Sequence, residues 1–157
     1  MIVLGIDPGY DRIGVAIVKK NNPKEEVLFS TCLTTNPKDS FEDRLLFVGK
    51  ELEKIIKKWK PKALSIEELF FHTNKKTASR VSEARGMIIY VSVLNKLKIF
   101  EYTPLEIKTT ITGHGRADKE QVQTMVLKLV NLSQKPKFDD EVDAIATALT
   151  CLARNRF

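Results

Sequence analysis

The chain is short of the residues that build covalently or zinc-stapled scaffolds: its 157 residues include two cysteines and two histidines. Cys32 and Cys151 stand far apart, and neither has a second cysteine or a histidine beside it. This argues against a disulfide framework or a zinc site and for reduced thiols. No apolar run approaches the roughly 18 residues that a membrane span requires. The opening run, residues 2–6, is broken at once by Asp7, which leaves no secretory core. The expected location is the cytoplasm, with no membrane partner. No internal repeat, low-complexity tract or linker divides the chain, so one domain over residues 1–157 is expected.

What is present suits a soluble globular protein: 43% hydrophobic and 29% charged residues. Lys and Arg number 26 against 20 Asp and Glu, a net charge of +6. Polyanions are therefore the default partners, although charge alone does not choose between nucleic acid and another acidic surface.

The hydrophobic pattern gives the order of elements. Residues 2–6, 14–18 and 27–33 are apolar runs separated by Pro8-Gly9-Tyr10-Asp11 and Asn21-Asn22-Pro23, which reads as a three-stranded meander. Ser40 with Asp43 marks a helix start, and Phe41, Leu45, Val48, Leu52, Ile55 and Trp59 follow at spacings of four and three. Residues 63–66 suit a short buried parallel strand. A helix is expected over 77–97, carrying Ala78, Val81, Ala84, Ile88 and Val91. Its interior Gly86 costs about 1 kcal/mol against Ala, so a close packing contact is expected there. Residues 99–102 read as a strand. Asp118 with Gln121 caps a helix whose stripe is Val122, Met125, Leu129 and Leu132, and a last helix starts near Asp139 or Asp140. The result is an α/β chain with a mixed sheet and helices packed against it.

Such sheets carry their chemistry at the carboxyl ends of parallel strands, and acids stand there. Asp7 ends the first strand, held extended by Pro8. Glu67 and Glu68 end the next parallel strand. Alternation points only one of them toward Asp7 and does not say which. Asp140 and Asp143 are three residues apart and share a helix face, whereas Asp139, Asp140 and Glu141 also complement a helix N-terminus. Oxygen donors without His or Cys select Mg²⁺ or Mn²⁺, and clustered acids need a cation to be tolerated. In a basic chain this pattern suggests two-metal phosphodiester hydrolysis.

Leu4-Gly5-Ile6-Asp7-Pro8-Gly9, Ile66-Glu67-Glu68-Leu69-Phe70 with Asn74, Ala84-Arg85-Gly86, Phe100-Glu101-Tyr102, Lys119 with Gln121-Val122-Gln123, and Asp140-Glu141-Val142-Asp143-Ala144 resemble, in order, the motifs of the RuvC family of bacterial Holliday junction resolvases. The resemblance implies a ribonuclease H-like mixed five-stranded sheet with helices on both faces. It also implies a homodimer that nicks opposing strands of four-way junction DNA and works with the RuvA and RuvB branch-migration proteins. The implied catalytic and metal-binding set is Asp7, Glu67, Asp140 and Asp143. It would hold Mg²⁺, with Mn²⁺ able to substitute, at two ions per site. Lys108 and Lys119 match family positions used for DNA binding and catalysis, and Phe70 one placed against unpaired bases.

Lys75, Lys76, Arg80 and Arg116 also follow the carboxyl ends of strands and are expected on DNA phosphates. The denser run of Lys54, Lys57, Lys58, Lys60 and Lys62 precedes its strand and is expected at the opposite end of the sheet. Phe71 is expected in packing and His114 on the surface, and the helix around Arg85 and Gly86 is the expected dimer interface. Two other readings stay open: a YqgF-like nuclease acting on RNA, suggested by Arg12 to Ala16, and a junction-binding protein without catalysis.

Overall fold

Alternation along the first strand decides how the layers are arranged. In a computed structural model of the protein the described residues are 1–69 and 75–155, with only the backbone described at 75–77. The first strand, β1 (Ile2–Asp7), buries Val3 with one cluster of apolar residues and Leu4 and Ile6 with another. The chain continues through β2 (Arg12–Lys19), β3 (Glu25–Thr34), α1 (Phe41–Trp59), β4 (Ala63–Glu67), α2 (Lys75–Leu94), β5 (Lys98–Tyr102), α3 (Pro104–Thr112), α4 (Lys119–Leu129), β6 (Val130–Leu132) and α5 (Asp139–Arg154). The sheet order is β5-β4-β1-β2-β3-β6. β2 runs antiparallel to β1 and β3, whereas β1, β4 and β5 are mutually parallel and β6 is parallel to β3. The carboxyl ends of β1, β3, β4, β5 and β6 and the start of β2 therefore share one end of the sheet.

Helices cover both faces. Leu4, Ile6, Val15, Ile17 and Ile66 pack with Val48 and Leu52 of α1 and Ile88 of α2. Val3, Ala16 and Val18 pack on the other face with Ile107, Val126, Ile145 and Leu149 from α3, α4 and α5. Two glycines set the depth of α5 on the sheet. A Cβ at Gly5 would lie 2.1 Å from the Ala144 carbonyl oxygen, and one at Gly14 would lie 2.0 Å from that of Asp140. Only residues without side chains let the helix backbone approach β1 and β2 this closely.

Several expectations are met locally. Ser40 caps α1, its side chain accepting from the Asp43 N–H, and Asp118 forms a capping box with Gln121 at α4. Others are corrected. The sheet has six strands, not five: the helix expected to run to Leu132 ends at Leu129, and Val130–Leu132 pairs with Glu25–Val27. Leu129 and Leu132 stand three apart and imitate a helical stripe, with no turn residue between helix and strand to mark the change. α3 follows β5 directly, its start marked by a Thr103–Glu106 capping box with Pro104 in the first turn, where the sequence pattern predicts no helix. The helix placed at 77–97 spans Lys75–Leu94; Leu97 is buried from the following turn, after Lys96 with φ 62°. Gly86 makes no close contact, since a Cβ there would meet nothing within 4 Å among the described residues.

Candidate active site

The same alternation that builds the core aims the acids. Val3 and Gly5 of β1 face α5, so Asp7, two residues on, faces it as well. On β4, Ala63 belongs to the α5 cluster and the Ser65 hydroxyl donates to the Thr147 carbonyl of α5 at 2.7 Å. Glu67 continues that series, and Glu68 does not. The close seat of α5 on Gly5 and Gly14 brings Asp140 and Asp143 to the same place.

The carboxylates act on one another. Burial first, then the negative charges of Asp143, Glu67 and Asp140, push the Asp7 carboxyl up to about 7, with Lys119 opposing. Glu67 is raised by burial and by Asp143, against the pull of Lys108, and Asp143 is raised by burial against Lys119. Lys119, at the first turn of α4, places its Nζ 2.7 Å from Asp139 Oδ2 and 3.1 Å from Asp143 Oδ2. Those acids hold its ammonium well above the ordinary lysine range, and the Lys119 hydrogen bond in turn lowers Asp139. Asp139 is thus directed to the cationic rim rather than into the cluster. Lys108, on α3, is near enough to Glu67 for its charge to be felt there.

The donor set fits a hard divalent cation. It consists of carboxylate oxygens, the buried Oδ2 of Asp140 makes no hydrogen bond and is faced by the Arg12 guanidinium at 3.2 Å, and Asp7 is hard to ionise without a compensating positive charge. Among the described residues, however, no three His, Cys, Asp or Glu side chains are gathered closely enough to cage an ion. Lys119 pairs with one of the carboxylates, Asp143.

The other predicted residues divide. Arg116 is exposed beside this end of the sheet, in the α3–α4 connection. Arg80 lies on the α1/α2 face, with its guanidinium 4.1 Å over the Phe41 ring and 3.0 Å from Glu83. Phe70 and Phe71 lie outside the described residues, as do the side chains of Lys75 and Lys76, whose backbone opens α2. His114 is exposed. The lysine run is at the far end of the sheet: Lys54 and Lys57 pair with Glu51 and Glu53, and the Lys62 N–H donates to the Ile2 carbonyl, at the opposite end of β1 from Asp7.

Two arginines at the site were not read as such. The Arg12 Nη2 stands 3.2 Å from Asp140 Oδ2 and 3.7 Å from Asp139. Arg85, on the helix expected to form the dimer interface, holds two strand ends together. Its Nε donates to the Glu67 carbonyl at 3.1 Å and its Nη2 pairs with Glu101, tying the end of β4 to β5. Neither role has a local signal, because each partner comes from another strand or helix.

A mixed sheet with buried carboxylates at its strand ends and cations around them defines the class of ribonuclease H-like phosphodiester hydrolases. The family model described as "Crossover junction endodeoxyribonuclease RuvC" matches residues 3–151. The chain belongs to the RuvC family. A RuvC from Ruminiclostridium cellulolyticum is 47% identical over 149 residues, covering 95% of this chain and 90% of that protein. One from Finegoldia magna is 44% identical over 157 residues, covering 100% and 96%. Among solved structures, T. thermophilus RuvC in complex with Holliday junction substrate superposes with a TM-score of 0.90 at 29% identity, covering 98% of this chain and 93% of that one. Among the described residues no helix is long and apolar enough to cross a membrane.

Proposed function

We propose that this protein resolves Holliday junctions in recombination and repair, nicking two opposing strands of four-way DNA by divalent-metal-dependent phosphodiester hydrolysis. The observation that carries the reading is the convergence of Asp7, Glu67, Asp140 and Asp143 on one sheet end, where burial first and then the charges of the other three raise Asp7 to about 7. Asp7, Glu67, Asp140 and Asp143 are the residues that would hold Mg²⁺, or Mn²⁺ in its place, two ions to a site. Such ions, when bound, supply an activated water and charge stabilisation for the leaving oxygen.

The chain's own groups do the rest. The β1 and β4 backbones fix the Asp7 and Glu67 oxygens, and α5 supplies the other two carboxylates on one helical face. Lys119, which lies among these acids, would hold a phosphate next to the scissile bond, and Lys108 and Arg116 would hold its neighbours. Lys75, Lys76 and Arg80 on further phosphates and Phe70 against unpaired bases complete the proposed DNA contacts.

Two symmetric cuts require two sites, which a two-fold homodimer provides. Exposed Tyr90, Val93 and Leu94 on α2 support that face as the interface. RuvA and RuvB acting with the dimer, and a cytoplasmic location, complete the proposal.

The test is cleavage of a synthetic four-way junction with nick positions mapped. Paired nicks in Mg²⁺ are expected, with a loss on the order of 100- to 1000-fold in Asp7→Asn and in Glu67→Gln. Native rates in these variants would overturn the site. Tight binding without nicks in Mg²⁺ or Mn²⁺ would overturn the enzyme, and a preference for RNA ends would overturn the substrate.

A further inference from the structure

Lys108, Arg116 and Lys119 flank the acids from α3, α4 and their connection. On the other side a groove with no assigned role runs along the middle of β3 beyond the end of β6. Its cavity of about 380 Å³ is lined by Ser30, Thr31, Ser133, Lys135, Lys137 and Phe138, among others. The loop between β6 and α5 forms one wall and leads directly into Asp139 and Asp140. Glu141 makes this wall a built surface. It is 5% exposed, one of its carboxylate oxygens accepts from the Lys137 and Phe138 N–H groups, and the other accepts from the Ser30 hydroxyl of β3. The one acid in the groove is thus occupied by internal donors.

Outside that clamp the loop presents charge and an aromatic to solvent. Lys135 and Lys137 are exposed and have no ion-pair partner among the described residues. Phe138 is 42% exposed, and the Arg12 guanidinium, which also faces Asp140, lies 5.9 Å from its ring centroid. Unpaired cations, hydroxyls and an exposed aromatic on a fixed loop are what a polynucleotide strand needs. The cations and hydroxyls meet phosphates, and the ring meets a sugar or base. The loop that walls the groove runs directly into Asp139 and Asp140, and the Arg12 guanidinium that lies near the Phe138 ring also faces Asp140.

We propose that this groove is a second strand-binding flank. It would seat the DNA strand as it leaves the scissile position on the side away from Lys108 and Lys119, with Lys135 and Lys137 on phosphates and Phe138 against a nucleotide. The proposal rests on the junction-resolving reading above. Its test is made on binding without divalent metal, so it is decided separately from cutting.

A fluorescently labelled synthetic four-way junction is titrated with full-length wild type, Lys135→Ala/Lys137→Ala, and Lys54→Ala/Lys57→Ala, which removes the same charge from the far end of the sheet. Loss of two phosphate contacts is expected to weaken binding roughly tenfold or more near 0.1 M salt. It should also make the slope of log affinity against log salt shallower by about 1.8. The far-end pair is expected to match wild type. Phe138→Ala is expected to lose about fivefold at an unchanged salt slope, with Phe138→Trp restoring it; thermal melts of the variants check folding. A Lys135→Ala/Lys137→Ala protein with wild-type affinity and slope, or one indistinguishable from the far-end pair, overturns the proposal. Wild type that binds the junction but never nicks it in Mg²⁺ overturns the resolvase reading instead.

Discussion

The two ends of the sheet are both basic, and they use their charge in opposite ways. At the far end Lys54 and Lys57 bond to Glu51 and Glu53 one turn away, and Lys58 lies 5.1 Å over the Trp59 ring. These are pairs within one helix, satisfied as soon as α1 forms and worth little beyond it. At the near end Lys119 reaches Asp139 and Asp143 on another helix, and Arg12 reaches Asp140 from a strand. These pairs exist only once the fold has gathered acids that raise one another. Density of charge in the sequence therefore says little about where polyanion chemistry is done. What matters is whether cations are held beside groups that repel each other.

The near end depends on α5 lying against bare backbone, so the severest way to break the contrast is to fill that space. Gly14→Ala puts a Cβ 2.0 Å from the Asp140 carbonyl oxygen and must push the helix off β2. A destabilisation of about 3 kcal/mol or more is expected, a fall of very roughly 6–12 °C in melting temperature for a chain of this size, together with loss of junction nicking. Gly86→Ala, where a Cβ meets open space, is the control and is expected to be neutral or slightly stabilising. A Gly14→Ala protein that melts and cuts like wild type would show that the seat of α5 does not set the site.

Repulsion among the acids has its own signature. The Asp7 carboxyl rises from 3.8 to about 7 on folding, so between those values the native state holds a proton that the unfolded chain has released. Metal-free protein is therefore expected to be most stable below about pH 4 with respect to this group. That contribution is lost as pH rises through about 7. Asp7→Asn removes the titration and is expected to stabilise the metal-free protein at pH 8 by on the order of 2 kcal/mol while abolishing nicking. Denaturant melts at pH 5 and pH 8 check this, and equal pH slopes in variant and wild type would refute it. Divalent cation, competing with that proton, is expected to bind more tightly as pH rises through 7.

How much of this could be read in the sequence depends on whether a feature is local. Ser40 and the Asp118–Gln121 box are local hydrogen-bond chemistry and were legible, as were the strand-end positions of Asp7 and Glu67. The choice between Glu67 and Glu68 was not legible from the residues. Alternation gives two faces, and only the packing of Ala63 and Ser65 under α5 says which of them is the acidic one. Gly5 and Gly14 sit within apolar runs where interior glycine weakens a strand, which is itself a local signal of close backbone approach. β6 was lost because three residues next to a helix cannot establish a period of their own. Arg12 and Arg85 were missed as site residues because their partners lie far along the chain.

The finest test of the comparison substitutes one lysine at each end. Lys119→Ala removes the cation bonded to Asp139 and Asp143, with two effects that act in the same direction. The acids lose a neutralising charge, which raises Asp7 further, and the substrate phosphate loses a contact. Both slow the reaction, and a reduction of about tenfold or more in nicking is expected, with melting temperature nearly unchanged because the side chain is largely exposed. Lys57→Ala removes the same charge from a helix-surface pair 3.0 Å long. Its effect on nicking is expected to be indistinguishable from zero, and its cost in stability a few tenths of a kcal/mol. Single-turnover rates at two salt concentrations distinguish a local from a general role. If Lys119 acted only through net charge, raising the salt would erase the difference between the two variants. If it acts through the acids it touches, the difference persists, because pairs held against a partly buried carboxylate are screened far less than exposed ones.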